Sequence, residues 1–245
     1  DESRLLLAVS YLASRRLDAA REALYGLEQP EGYDEPELIS FLCEWLDPWH
    51  GHVDGITAVQ FLGGGERVVS TSKDGSIKIW DFPSGKVLKT LRGHEGPVND
   101  ISVVEDRLVT ASSDYRIGVW ALNGSKSRHE GWLQGHRRGV AVVATTEGGE
   151  HILSGGNDRS LGLWNTTDAH PTAIFHAGSV RSVSFSSDGN WLASGSRDET
   201  VWVRDVTNGQ RVLRLVGHKG AVQGVAFSPG GSNQLLSVST DGSAR

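Results

Sequence analysis

From residue 49 onward the chain is made of short segments in which apolar and polar positions alternate. Residues 56–61 (ITAVQF), 180–185 (VRSVSF) and 222–227 (VQGVAF) echo one another, and their two-residue period predicts strands with one buried face. Residues 67–72 (RVVSTS) and 77–80 (IKIW) flank an Asp-Gly turn at 73–76, which predicts a hairpin. Turn-forming stretches at 186–189 (SSDG) and 228–231 (SPGG) close further strands. Each unit thus supplies four short antiparallel strands. The first 48 residues follow a different period. Leu5, Val9 and Leu12 share one helical face and Leu17, Ala20, Leu24 and Leu27 another. A break near Ser14, Arg15 and Arg16, with Asp18 as N-cap, predicts a helical hairpin. A capping box at 34–37, with Pro36 in the first turn, opens a third short helix whose stripe is Leu38, Ile39, Leu42, Trp45 and Leu46.

The strand-rich part is periodic. His52, His94, His136, His176 and His218 are spaced 42, 42, 40 and 42 residues apart, and a glycine precedes each except His176, which follows Phe175. An aspartate follows each histidine after 20 to 23 residues: Asp74, Asp114, Asp158, Asp198 and Asp241. Four residues before each aspartate stands a hydroxyl, namely Ser70, Thr110, Ser154, Ser194 and Ser237. Six residues after the first three aspartates come Trp80, Trp120 and Trp164, and Trp80 is followed by Asp81. A period of this length is the signature of a repeat architecture.

Gly-His, an aspartate turn and Trp-Asp at this spacing resemble the WD-repeat family, over about residues 49 to 245. The resemblance implies a mainly β fold, a WD40 β-propeller of four-stranded blades, with residues 1–48 as a separate α-helical segment. It also implies a buried hydrogen-bonded network in each blade. Carried over by position, the sets are His52/Ser70/Asp74/Trp80, His94/Thr110/Asp114/Trp120 and His136/Ser154/Asp158/Trp164. The fourth unit departs from the pattern: Arg204 stands where tryptophan is expected, Trp202 lies two residues earlier, and the set reduces to His176/Ser194/Asp198. The fifth unit stops where its third strand should begin, so four complete blades and part of a fifth are expected here, of about seven in the full protein. In this family the loop after each histidine and the residue before each turn aspartate lie on one face. By position that face holds Arg137, Arg138 and Lys219 in the loops, Lys73 and Arg197 before aspartates, and Arg181 nearby. Positive charge gathered there suits an acidic or phosphorylated peptide. Residues 1–30 resemble a LisH dimerisation motif or a tetratricopeptide-like hairpin, which would make them a site of self-association; residues 36–48 resemble part of an F-box, and a plain helical cap fits the segment too.

The remaining chemistry narrows the class of function. A Ser/His/Asp trio invites a hydrolase reading, but it recurs in five units and a nucleophile is not needed five times. His50 and His52 have no cysteine or carboxylate cluster to complete a metal site, and glycines 63–65 lack the lysine and hydroxyl of a phosphate loop. No catalytic residue, metal or cofactor is therefore expected. The formal charge of −6 argues against direct nucleic-acid binding. The lone Cys43 excludes an internal disulfide, and no apolar run is long enough for a membrane span, so an intracellular protein, cytoplasmic or nuclear, is expected. These readings favour a non-enzymatic scaffold that binds proteins or peptides through the propeller face and helps assemble a multiprotein complex. The alternative is a subunit or regulatory domain of an enzyme, such as a ubiquitin-ligase substrate receptor, whose catalytic part lies elsewhere.

Overall fold

The computed structural model describes residues 51–245, apart from 64, 83, 123–126, 166–167, 176–177 and 229–233; for 168–175 it describes the backbone path. The helices and self-association motif expected within residues 1–48 lie outside the described residues. Eighteen strands occur among the described residues, and every sheet is antiparallel in chain order. Blade 1 is β1 (Ile56–Leu62), β2 (Arg67–Ser72), β3 (Ile77–Asp81) and β4 (Val87–Leu91). Blade 2 is β5 (Val98–Val104), β6 (Arg107–Ser112), β7 (Arg116–Ala121) and β8 (Arg128–Gln134). Blade 3 is β9 (Val140–Thr145), β10 (His151–Gly156), β11 (Ser160–Asn165) and β12 (Asp168–Phe175). Blade 4 is β13 (Val180–Phe185), β14 (Trp191–Ser196), β15 (Val201–Asp205) and β16 (Arg211–Leu215). Blade 5 contributes β17 (Val222–Phe227) and β18 (Leu235–Ser239). The expected four-stranded units and the partial fifth are thus present.

The apolar face of each sheet is buried against its neighbour, so the core is a series of layers between blades. Leu62, Val69, Ile77 and Leu91 of blade 1 pack with Val98, Leu108 and Trp120 of blade 2. Val109, Ala111 and Ile117 pack in turn with Val140, Ile152 and Trp164, and Leu153 and Leu161 with Val180 and Leu192. Ala193 and Val201 close against Val222 and Val225. A blade therefore completes its core only with a partner, as in other repeat folds. The first position of each inner strand shows this. Val98, Val140, Val180 and Val222 are fully buried, whereas Ile56 of blade 1, a residue against which no other described blade packs, is 59% exposed.

The first strand of each blade is also an unpaired sheet edge, which would leave backbone N–H groups without partners. The inner strands β1, β5, β9, β13 and β17 lie side by side, and side chains of one satisfy the backbone of the next. Gln60 Oε1 accepts Val103 N–H (3.0 Å), Asp100 Oδ2 accepts Val143 N–H (3.0 Å), and Ser182 and Ser184 accept Val225 and Phe227 N–H (3.0 and 3.3 Å). Asn99 donates to the Val140 carbonyl, as Thr57 does to that of Val98.

Asp100 carries a cost that the other linkers avoid. Burial pushes its carboxyl up to about 6, although the N–H groups of Val143 and Ile101 favour the charged form. A carboxyl raised in the fold opposes stability once the pH rises through that value, and ceases to do so near the unfolded value of 3.8. Asp100→Asn keeps an acceptor for Val143 and removes the charge. Its melting temperature should exceed that of the parent at neutral pH, with the difference shrinking as the pH falls from about 6 towards 4. A lower melting temperature across the whole range in pH-dependent thermal melts would contradict this.

Candidate functional site

Each blade is locked internally by a relay built on its turn aspartate. In blade 1 the Trp80 indole N–H donates to Ser70 Oγ (2.7 Å), the Ser70 hydroxyl donates to His52 Nε2 (2.7 Å), and His52 Nδ1–H donates to Asp74 Oδ2 (3.2 Å). In blade 2 the steps are Trp120 to Thr110 (3.0 Å), Thr110 to His94 (2.8 Å) and His94 to Asp114 (2.8 Å). In blade 3 they are Trp164 to Ser154 (2.9 Å), Ser154 to His136 (2.7 Å) and His136 to Asp158 (3.2 Å). Blade 5 joins Ser237 to His218 (2.9 Å) and His218 to Asp241 (3.0 Å).

The directions of these bonds fix the protonation states. Burial pulls the His52 and His94 imidazoles below the ordinary value of 6.5, and the adjacent aspartates only partly oppose it. Each is therefore neutral, a donor at Nδ1 and an acceptor at Nε2. Burial acts to raise Asp74, Asp114 and Asp158, yet accepted hydrogen bonds outweigh it and hold them below the carboxylate range. Beyond the imidazole, these aspartates accept the N–H of the residue after the histidine: Val53, Glu95 and Arg137 at 2.9, 3.1 and 2.7 Å. They also accept the N–H two residues ahead, from Ser76, Arg116 and Ser160. One carboxylate thus ties the entry loop, the histidine and the hairpin turn together.

Two features of this turn escaped sequence reasoning. A second hydroxyl two residues after the aspartate, Ser76, Ser160, Thr200 or Ser243, donates to the carboxylate at 2.6 to 2.7 Å in four blades. An Asp-x-Ser/Thr pattern in four of the five units carried that signal. The residue between them is left-handed in every blade: Gly75 and Gly242 at φ 80° and 79°, but Tyr115, Arg159 and Glu199 at 73°, 68° and 70°. The turn geometry is therefore kept even where a side chain makes it costly.

Blade 4 is wired differently. His176 lies outside the described residues, and Trp202 donates to Thr200 Oγ1 (2.7 Å), which donates to Asp198 (2.6 Å). The indole reaches the turn aspartate by another hydroxyl, while the buried Ser194 Oγ has no hydrogen-bond partner among the described residues. Arg204 is buried and donates through Nη1 to the Gly209 carbonyl (3.1 Å). Ser154→Ala should destabilise by about 1–3 kcal/mol, because it strips the partner from Trp164 and His136. Ser194→Ala should be neutral or stabilising, because it removes an unmet buried hydroxyl. Equal losses for both in denaturant melts would refute the difference between the blades.

Nothing in the relay can do hydrolytic chemistry on a solute. Ser70, Thr110 and Ser154 are 3%, 0% and 0% exposed, so no substrate reaches their oxygens. Among the described residues no group of three or more His, Cys, Asp or Glu stands together as a metal site, and no helix is long and apolar enough to cross a membrane. His50 and Cys43 lie outside the described residues.

The end of the blades that carries the turn aspartates is a different environment. There the residue before each aspartate bonds to the loop entering the same blade: Lys73 N–H to Gly55 O (3.0 Å) and Arg197 N–H to Ser179 O (3.0 Å). Asn99, the second residue of β5, donates to Ser113 (3.1 Å), the residue before Asp114. Arg181 and Arg197 occupy the matching positions of blade 4, where Val180 faces Ser196 in the ladder. Lys73, Arg137, Arg138, Arg197 and Lys219 are exposed, and Arg181 is half-buried with its Nε lacking a hydrogen-bond partner among the described residues. None of the six side chains forms an ion pair among the described residues.

Comparison with known proteins agrees with this architecture. The model of the WD domain, G-beta repeat, matches residues 44–81, 85–121, 126–165, 170–205 and 209–245. The chain is similar to nuclear distribution protein nudF of Aspergillus niger, 31% identical over 197 residues that cover 78% of this chain and 44% of that protein. It is also similar to autophagy-related protein 16 of Arabidopsis thaliana, 27% identical over 77% of this chain and 37% of that one. Ribosome biogenesis protein YTM1 of Eremothecium gossypii is 30% identical over 73% of this chain and 41% of its own length. The chain spans less than half the length of each of these relatives. With five matched repeats and antiparallel blades in register with them, the chain belongs to the WD40 repeat family.

Proposed function

We propose that this chain is a non-enzymatic platform that binds protein partners and helps assemble a multiprotein complex. The supporting observation is chemical: its repeated polar residues are consumed in buried structural networks, while its unpaired cations face solvent. Similarity to proteins named for nuclear distribution, autophagy and ribosome biogenesis supports the reading, and with it an intracellular location. The contact face is the end of blades 3 to 5 that carries the turn aspartates, through Arg137, Arg138, Arg181, Arg197 and Lys219, with Lys73 on blade 1. An acidic or phosphorylated peptide is the ligand this charge suits. The unmet Nε of Arg181, next to the position of Arg197, carries the argument, because a buried donor without a partner costs free energy that a carboxylate or phosphate would recover.

Arg181→Glu combined with Arg197→Glu should abolish capture of acidic partners by the immobilised chain and leave the melting temperature unchanged. If every partner recovered by the parent in a pull-down is retained by this double variant, the face is not the binding site.

A further inference from the structure

Blade 4 departs from the repeat at a second place, its outer strands. Trp202 pairs with Ser194 in the ladder, the register position held by Gly118 opposite Thr110 and Gly162 opposite Ser154. Arg204 pairs with Leu192, as Trp120 pairs with Leu108. Between third and fourth strands the register slips by one residue at Trp120 and again at Arg204. That bulge brings positions 211 and 214, which a regular strand would point to opposite faces, onto the side of Arg204 and Trp202. In blade 2 the same two positions hold His129 and Trp132, whose rings lie 4.7 and 5.9 Å from that of Trp120. Where blade 2 stacks three aromatic rings, blade 4 has three guanidinium groups around one displaced indole.

The carbons at the centres of the Arg204, Arg211 and Arg214 guanidinium groups lie 4.9, 4.8 and 5.9 Å from the Trp202 ring. Arg204 is buried beneath, while Arg211 and Arg214 are exposed and have neither an ion pair nor a hydrogen-bond acceptor among the described residues. Contact with the indole face attracts a cation but supplies no counter-charge. Burial, and then the charge of Arg211, lower the proton affinity of Arg204. Arg211 and Arg214 therefore lack a negative partner among the described residues. β16 also forms the outer edge of its sheet, and all five of its residues are exposed, including Val212 and Leu213 at 49% and 51%. Its outward backbone groups are open to an added strand.

We propose that Trp202, Arg204, Arg211 and Arg214 form a binding site for a phosphomonoester carried on an extended peptide that lies along β16. A phosphomonoester fits better than a single carboxylate because it brings about −1.5 to −2 charges and three acceptor oxygens to three clustered cations. The planar guanidinium forks of Arg211 and Arg214 grip the phosphate, and Arg204 is the buried charge behind them. The apolar side chains of β16 contact the flanking residues of the peptide. This site lies on the third and fourth strands of blade 4, whereas Arg181 is on the first strand and Arg197 follows the second. The two sites stand or fall separately.

The test titrates the whole chain with a labelled Val/Thr-rich nonapeptide centred on phosphoserine, beside its unphosphorylated form, by fluorescence anisotropy. The phosphorylated peptide should bind at least about tenfold more tightly, and Arg211→Gln with Arg214→Gln should erase that preference. Arg181→Glu with Arg197→Glu should leave it intact. Arg214→Lys, which keeps the charge and loses the fork, should give an intermediate loss and guards against misfolding of the double variant. Equal affinity for both peptides, or an unchanged preference in Arg211→Gln/Arg214→Gln, would overturn the proposal. So would a dependence on Arg211 and Arg214 seen only with phosphatidylserine vesicles.

Discussion

One largely buried carboxylate ties together each of blades 1 to 3. The turn aspartate accepts the imidazole Nδ1–H, the N–H of the next residue along the entry loop, and the N–H two residues ahead in the turn. Three pieces of backbone that would otherwise be joined only through strand ladders converge on it. Burial disfavours its charge, and those donors outweigh that cost and hold the carboxyl below its ordinary value. The neutral histidine then has one free lone pair, the hydroxyl of the second strand fills it, and the indole N–H fills the hydroxyl. Every polar atom of the relay has a defined direction, which is why the same four residue types recur.

Contacts between blades follow a second rule. Each interface joins an apolar layer, such as Val109, Ile117, Val140 and Trp164, to polar links between inner strands about 43 residues apart. The links cap the N–H groups that an inner strand would otherwise expose at its edge. Asp100 shows that not every linker suits its place, since serine or glutamine does the same job at other junctions without a buried charge. Blade 4 exchanges its aromatic wall for arginines: Val206 joins the apolar layer with blade 3, and a buried Arg204 holds the ladder position that carries an indole in blade 2.

The strands, the turns and the relay partners were legible because each recurs in register, and repetition separates a structural signal from a chance one. Alternation at residues 56–61 and 222–227 marked the inner strands, and the Asp-Gly pairs at Asp74 and Asp241 marked the turns. The interstrand linkers were not legible. Gln60, Asp100 and Ser182 read as ordinary polar positions of an alternating strand, and only the pairing of one blade with the next gives them a target. The wiring of Trp202 through Thr200 was hidden because this indole stands two residues before the expected position and reaches a different hydroxyl. Left-handed Tyr115, Arg159 and Glu199 gave no glycine signal at all.

The relay's direction is the claim on which this account rests, and long-range nitrogen–proton correlation NMR of the histidine rings tests it most directly. The account predicts that His52, His94 and His136 carry their proton on Nδ1. It further predicts that His52 and His94 take up a second ring proton at a lower pH than a free imidazole does. A proton on Nε2, or titration of His52 and His94 at the ordinary value, would contradict it.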